Sequence, residues 1–190
     1  MLNKQNMADA TPQTNEPDVV LVDEFDNPIG TIGKQAAHEQ GLLHRAFSVF
    51  VFNDKQELML QQRAKHKYHS PLLWTNTCCS HPNPSDKTVA QAAHRRLKFE
   101  MGFSCDITFE FAFVYKTEFE NGLMEHEFDH VFLGHYNQEP TVNPDEVQQW
   151  RWESIDNIKH ELQTKPENYT VWFKIAFEKL IEQTHKTNFS

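Results

Sequence analysis

The chain has 190 residues, enough for one domain with a sizeable core and too few for two ordinary ones. Eighteen basic against 27 acidic residues leave a formal charge of −9, which argues against a nucleic-acid partner and gives no general attraction to anions, so any phosphate site has to be a local basic cluster. No apolar run has the length of a membrane span, the first 17 residues lack a signal-peptide core, and three cysteines, two of them adjacent, do not make a disulfide framework; the expectation is a cytoplasmic protein with no membrane partner.

Residues 1–17, rich in Asn, Gln, Thr and Pro, are expected to be a disordered leader ahead of one folded domain, residues 18–190. Order is expected to begin with an apolar strand at 18–23, closed by the turn-forming Asp26-Asn27-Pro28. Residues 46–52 and 57–63 predict a hairpin, because a β-branched and aromatic run meets a second apolar run across the polar turn Asn53-Asp54-Lys55. From 88 to 101 the pattern is helical, with Val89, Ala92, Ala93, Leu97 and Met101 at three- and four-residue spacing, Ser85 or Asp86 as cap and Gly102 as stop. Residues 107–119 and 123–136 return to a period of two and meet around Asn121-Gly122, a second hairpin. Residues 148–152 predict a further strand, and 171–181, with Trp172, Ile175, Ala176 and Leu180, a closing helix. Strands and helices mixed without regular βαβ alternation predict an α/β sandwich with a mixed β-sheet flanked by helices.

The stretch 74–82, Trp-Thr-Asn-Thr-Cys-Cys-Ser-His-Pro, sets a thiol and an imidazole two residues apart between a strand-like segment and the helix. Cys79 lies in a loop before a helix, with cationic residues and a metal ion expected nearby, surroundings that lower a thiol pKa and make it a candidate acid, base or nucleophile. Cys78 and Cys105 read as inert packing. Glu125 and Glu127 are two apart in a predicted strand, so both carboxylates project from one face and can converge on one ion, while His126 points the other way. Alone, such a pair reads more readily as a solvated strand face. His38, His44 and His81, each expected just outside a strand or helix, shift the balance, because a borderline divalent ion favours imidazole nitrogen with carboxylate oxygen. Of the eleven histidines, His66, His69, His94, His130, His135, His160 and His185 read as surface or packed residues. No Cys-x-x-Cys pair is present, which disfavours a structural zinc knuckle. A thiolate and a carboxylate on opposite sides of a small substrate would remove one proton while supplying another.

The runs Lys34-Gln35-Ala36-Ala37-His38, residues 75–82 and Glu125-His126-Glu127 resemble the type I isopentenyl-diphosphate delta-isomerases, enzymes built on the Nudix fold, and the resemblance spans about Val19 to Trp172. The Nudix hydrolase box survives only in part. Its tail overlays residues 95–103, with Arg96 and Phe99 at two of the three glutamate positions, Glu100 kept, Lys87 where the upstream glutamate belongs, and Ser80 or His81 at the glycine. Hydrolysing a pyrophosphate needs a carboxylate cluster that holds several magnesium ions.

The resemblance implies a Nudix-type sandwich and a site residue by residue. His38, His44, His81, Glu125 and Glu127 would bind a divalent ion (Mn2+, Mg2+ or Zn2+). Glu100, with the main-chain carbonyl of Cys79, would hold a Mg2+ bridging the substrate diphosphate. Lys34, Arg63, Lys67 and Ser80 match diphosphate-binding positions, Cys79 and Glu127 the two catalytic residues, Tyr115 the residue assisting Glu127, and Trp172 a ring facing a carbocation. The implied partner is a small-molecule diphosphate, with no protein partner required. A Nudix pyrophosphohydrolase and a non-catalytic metal-binding module are the alternatives.

Overall fold

The structure, a computed structural model, describes residues 18–67, 69–119 and 121–187. The expected leader, residues 1–17, lies outside them. The chain runs β1 (Asp18–Val22), β2 (Pro28–Gly33), α1 (Lys34–Gln40), β3 (His44–Phe52), β4 (Glu57–Arg63), β5 (Trp74–Thr75), β6 (Cys78–Ser80), α2 (Val89–Met101), β7 (Ile107–Glu118), β8 (Met124–His135), β9 (Val147–Ser154), α3 (Ile155–Thr164), a 3₁₀ turn (Pro166–Asn168) and α4 (Val171–Thr187).

The β-branched and aromatic run of β3 puts it at the centre of a mixed sheet. It lies parallel to β8 from His44↔Glu127 to Phe52↔His135 and, on its other side, antiparallel to β6 through Ser48↔Cys79. Side chains alternate across a strand, and here the alternation builds two cores. Phe47, Val49 and Val51 pack with Ala92, Ala93, Leu97 and Met101 of α2, while Phe50 packs with Trp172, Phe173, Ala176 and Phe177 of α4. Each fully buried Phe or Leu side chain contributes roughly 1.5–3 kcal/mol, and Phe50→Ala would cost about 3–5 kcal/mol by leaving a cavity against Phe173. On β8 the same rule sends Val131 to the α4 side and Phe132 to the α2 side, so Glu125 and Glu127, in step with Val131, face the α4 side.

The β7–β8 hairpin, the β9 strand and the closing helix form where expected. Several details differ. β3 and β4 meet in the expected turn but pair only at Phe52↔Leu58, and β4 instead pairs with β9, because β3 is already flanked by β8 and β6. The cap of α2 is Thr88, whose side chain accepts from the Gln91 amide, and not Ser85 or Asp86; Asp86 instead receives Arg95. Gly102 does end the helix, at φ 77°, and a Cβ there would meet the Thr141 carbonyl oxygen at 2.1 Å. β2, α1 and α3 were not expected. β2 is a short edge strand with a proline and two glycines, and α1 is seven residues with no side-chain cap, too short to show a helical period.

Candidate active site

Local structure brings three histidines to one point. α1 carries His38 on its buried side and stops at Gly41, a left-handed cap with φ 61° whose carbonyl accepts from His126. The chain then turns straight into β3, so His44 is its first residue. His38 therefore sits within a helix and His44 within a strand, not in flanking loops; only His81 lies just beyond its strand. Glu125 and Glu127 rise beside them from β8.

Each of His38, His44, His81, Glu125 and Glu127 offers a ligand atom, and these atoms all lie within 4.8 Å of one another. His38 Nε2 approaches Glu125 Oε2 at 3.1 Å, His81 Nε2 lies 2.7 Å from Glu127 Oε1, and His44 Nε2 lies 3.2 Å from His81 Nε2. His44 Nδ1 faces the Leu42 carbonyl at 2.8 Å. A carbonyl only accepts, so Nδ1 carries the proton and Nε2 presents its lone pair to the cluster, the arrangement that orients a metal-binding imidazole. Burial pushes the pKa values of His44 and His81 down, against the opposing pull of nearby carboxylates, so both rings rest neutral. Two buried carboxylates and three histidines, two of them neutral rings with converging nitrogens, fit a divalent cation.

Glu127 is gripped from both sides. Tyr115 donates to its Oε2 at 2.6 Å, and His81 holds Oε1. Burial, then the Glu127 charge, pushes the Tyr115 phenol well above its ordinary range, so it keeps its proton.

A cavity of about 360 Å³ opens beside this cluster. Its lining includes Cys79, Glu127, Tyr115, Trp172, Glu125, His81 and Glu100, and also Lys34, Arg63, Lys67 and Ser80. The local basic cluster demanded by the acidic composition is thus present, and Arg95 and Arg96 add to it. Arg63 is braced by the carbonyls of His69 and Ser70, each at 3.2 Å, and its guanidinium lies 5.1 Å from the centre of the Trp172 ring. Lys67 pairs with Glu146, which also meets Arg96 at 3.2 Å. Against the upward pull of burial, those two cations hold Glu146 below the usual carboxylate range.

Cys79 sits within strand β6 and not in a loop, and the protein groups around it do not by themselves acidify its thiol. Burial pushes its thiol up to about 12; Arg63 opposes this, and Glu100, Glu127 and Asp129 reinforce it. Burial is the largest of these influences and sets the direction.

Glu100, the glutamate of α2 that the Nudix-box resemblance keeps, is held on both oxygens. Arg96 forms a two-pronged bond to Glu100 Oε1 at 3.0 and 2.7 Å, and Gln61 donates to Oε2 at 2.9 Å. Phe99, at a former glutamate position, is half exposed with the Arg96 guanidinium 4.9 Å from its ring centre.

The sequence reading missed His69, Gln61, Arg96 and Glu146 as cavity residues. His69 is packed edge-on against Trp172 at 5.7 Å and stacked on Phe119, and its Nε2 comes within 3.9 Å of Glu125. Burial, with Arg63 next, lowers its pKa to about 3. A lone histidine in a loop carries no signal that would mark it, and neither does Gln61, which stands in the polar Gln61-Gln62-Arg63 end of its strand. His94, His130, His135 and His160 lie outside the cavity lining.

The NUDIX domain family matches residues 42–173. By fold, the chain resembles DR0079 from Deinococcus radiodurans (TM-score 0.65, 17% identity, 78% of this chain and 90% of that one) and a MutT protein from Methanosarcina mazei Go1 (TM-score 0.60, 16% identity, 75% and 95%). By sequence it is 49% identical over 166 residues to isopentenyl-diphosphate Delta-isomerase 2 of Aromatoleum aromaticum, covering 87% of each chain. It is 50% identical over 163 residues to the isopentenyl-diphosphate Delta-isomerase of Pectobacterium atrosepticum, covering 86% of this chain and 90% of that one. With a NUDIX domain, a His/Glu cluster beside a thiol and relatives of 49–50% identity over most of its length, this chain belongs to the isopentenyl-diphosphate delta-isomerase family of NUDIX-domain proteins.

Proposed function

We propose that residues 18–190 act as one catalytic unit that interconverts isopentenyl diphosphate and dimethylallyl diphosphate, a step of isoprenoid biosynthesis. The observation that carries this reading is that Cys79 from β6 and Glu127 from β8 line one cavity whose wall also holds the Trp172 ring and a set of Lys and Arg side chains. No helix among the described residues is long and apolar enough to cross a membrane, and the three cysteines are free, which supports action in the cytoplasm.

Lys34, Arg63, Lys67 and Ser80 bind the diphosphate and set the hydrocarbon end against Trp172, with Arg96 adding charge on the same wall. Tyr115 keeps its proton and steers Glu127 through their 2.6 Å bond. Glu127 delivers a proton to the terminal alkene carbon; the double-bond electrons form the new C–H bond and leave a tertiary cation at the neighbouring carbon. Cys79 takes a proton from the carbon on the diphosphate side of that cation, and the electrons of the broken C–H bond become the new double bond. Burial makes the Cys79 thiolate a strong base once formed, and Arg63 is the cation that favours forming it. The indole face of Trp172 stabilises the cation without trapping it as a nucleophile would. The five-residue His/Glu cluster would hold a Mn2+, Mg2+ or Zn2+ ion, and Glu100 with the Cys79 carbonyl a Mg2+, supplying charge neutralisation to the buried carboxylates and the diphosphate.

Incubating the purified protein with isopentenyl diphosphate and Mg2+ tests the proposal. Dimethylallyl diphosphate without free phosphate is the expected result. Release of phosphate would mean a pyrophosphohydrolase, and metal binding with neither product a binding module.

A further inference from the structure

Thr75 is fully buried below the cavity, and nothing in the chemistry above uses it. A threonine hydroxyl has one proton to give and two lone pairs to receive with. All three are engaged here. Oγ1 donates to Asn76 Oδ1 at 2.9 Å, accepts from the Trp172 indole N–H at 2.9 Å and accepts from the Thr170 hydroxyl at 3.1 Å. The directions are fixed by chemistry, since an indole N–H can only donate and Asn76 uses its amide N–H groups on the carbonyls of Val49 and Cys78, at 3.2 and 2.8 Å. A continuous set of bonds therefore runs from the Trp172 indole through Thr75 and Asn76 to the carbonyl of Cys78, the residue before Cys79.

An aromatic ring attracts a cation only through its face, so an indole that rotates about its side-chain bonds loses the interaction without leaving the cavity. The Trp172 face is presented to charge in this structure, with the Arg63 guanidinium 5.1 Å from its centre. Apolar neighbours such as Phe173 and Leu60 pack around the ring and restrict it sterically; the N–H bond adds the directional constraint that selects one rotation. We propose that Thr75 is a positioning residue, its hydroxyl fixing the rotation of the Trp172 indole toward the developing cation and, through Asn76, locking that ring to the strand that carries Cys79. The proposal rests on the role given to Trp172 above.

Two substitutions separate the hydroxyl from the packing. Thr75→Ser keeps the hydroxyl and loses a methyl group, whereas Thr75→Val keeps the shape and loses the hydroxyl. If Thr75 positions the ring, the serine variant turns over within about twofold of wild type despite a lower melting temperature, and the valine variant loses turnover by about fivefold or more, the value of one neutral hydrogen bond, with KM near wild type. The valine variant leaves three buried polar groups without their partner and is expected to be less stable, so a second arm leaves Thr75 intact. Benzothienylalanine at position 172 replaces the indole N–H by sulfur and keeps both aromatic faces; its turnover should fall by about fivefold with KM unchanged. A benzothienylalanine enzyme with normal turnover, or a serine variant as slow as the valine one, overturns the proposal. Trp172→Phe in the same assay tells this failure from that of the underlying reading. Normal turnover in the phenylalanine enzyme removes the ring's role and Thr75's with it, while a slow phenylalanine enzyme beside a normal benzothienylalanine enzyme removes Thr75's alone.

Discussion

Cys78 and Cys79 are neighbours in sequence and lie on opposite sides of the sheet: Cys78 is buried in the α2 core, while Cys79 packs against the α4 cluster and lines the cavity. Strand alternation alone makes this assignment. Cys79→Ala is therefore expected to lower turnover by about a hundred- to ten-thousand-fold, the usual range for removing a proton-transfer group, with fold and metal content intact. Cys78→Ala should stay active and lose on the order of 1 kcal/mol of stability through its core position. Steady-state kinetics with melting curves on both variants decides the matter, and a Cys79→Ala enzyme within a few-fold of wild type would refute the role.

The two carboxylates of β8 differ in their second contacts. Glu127 is bonded to Tyr115 as well as to His81, whereas Glu125 faces His38 and His69. Glu127→Gln is expected to lose activity outright, as both ligand and proton donor, and Glu125→Gln mainly to weaken metal retention, because it removes one charged ligand and leaves the proton donor in place. Elemental analysis after dialysis of the His38→Ala and His81→Ala proteins checks the cluster. A full complement of tightly held metal in either would show that the ion sits elsewhere.

Long periodic segments were legible in the sequence because their signals are local: the 107–136 hairpin, the 88–101 helix with its Gly102 stop, and the closing helix all follow from spacing. The pairing of β4 with β9 was not, since it is decided by which neighbours β3 has already taken, a tertiary competition that no window of sequence contains. The site divides in the same way. Residues in strings such as Thr-Cys-Cys-Ser-His and Glu-His-Glu could be read directly. Arg96 and Glu146 could not, because each looks like an ordinary surface charge until the fold brings them 3.2 Å apart on the cavity wall. The expected low thiol pKa rested on cations and a metal ion beside Cys79, while the burial and the distant carboxylates Glu100, Glu127 and Asp129, which act in the other direction, were not visible in the sequence.

Stability of the metal-free protein should depend on pH through its buried histidines. His69, His44 and His81 all have pKa values pushed down by burial, His69 to about 3. In the unfolded chain each returns to the model-peptide range near 6.5. Below that pH the unfolded state binds protons that the folded state refuses, so stability is full above about pH 6.5; His69 removes about 1.4 kcal/mol per pH unit as the pH drops toward 3, and His44 and His81 add to the fall in the same direction. Denaturant melts of EDTA-treated protein between pH 7.5 and 4.5 should show this fall, and His69→Gln should make it shallower. A melt profile of unchanged slope in that variant would mean that His69 is protonated in the folded protein.

Trp172 is both nearly buried, at 5% exposure, and part of the cavity wall, so its packing and its chemistry have to be separated. Trp172→Phe keeps an aromatic side chain in the core but weakens the π-face and removes the N–H bond to Thr75. The lost bond is worth about 1 kcal/mol, which for a domain of this size lowers the melting temperature by about 2–4 °C. The weaker face acts only when positive charge develops, so it raises the barrier without changing ground-state affinity. A cation–π contribution of about 1–2 kcal/mol predicts a turnover roughly 5–30-fold lower with KM near wild type. A packing residue behaves in the opposite way, with a cavity-type loss of several kcal/mol and normal turnover per folded molecule. Measuring kcat, KM and Tm on one preparation gives the answer, and a large fall in Tm with unchanged kcat would take Trp172 out of the reaction.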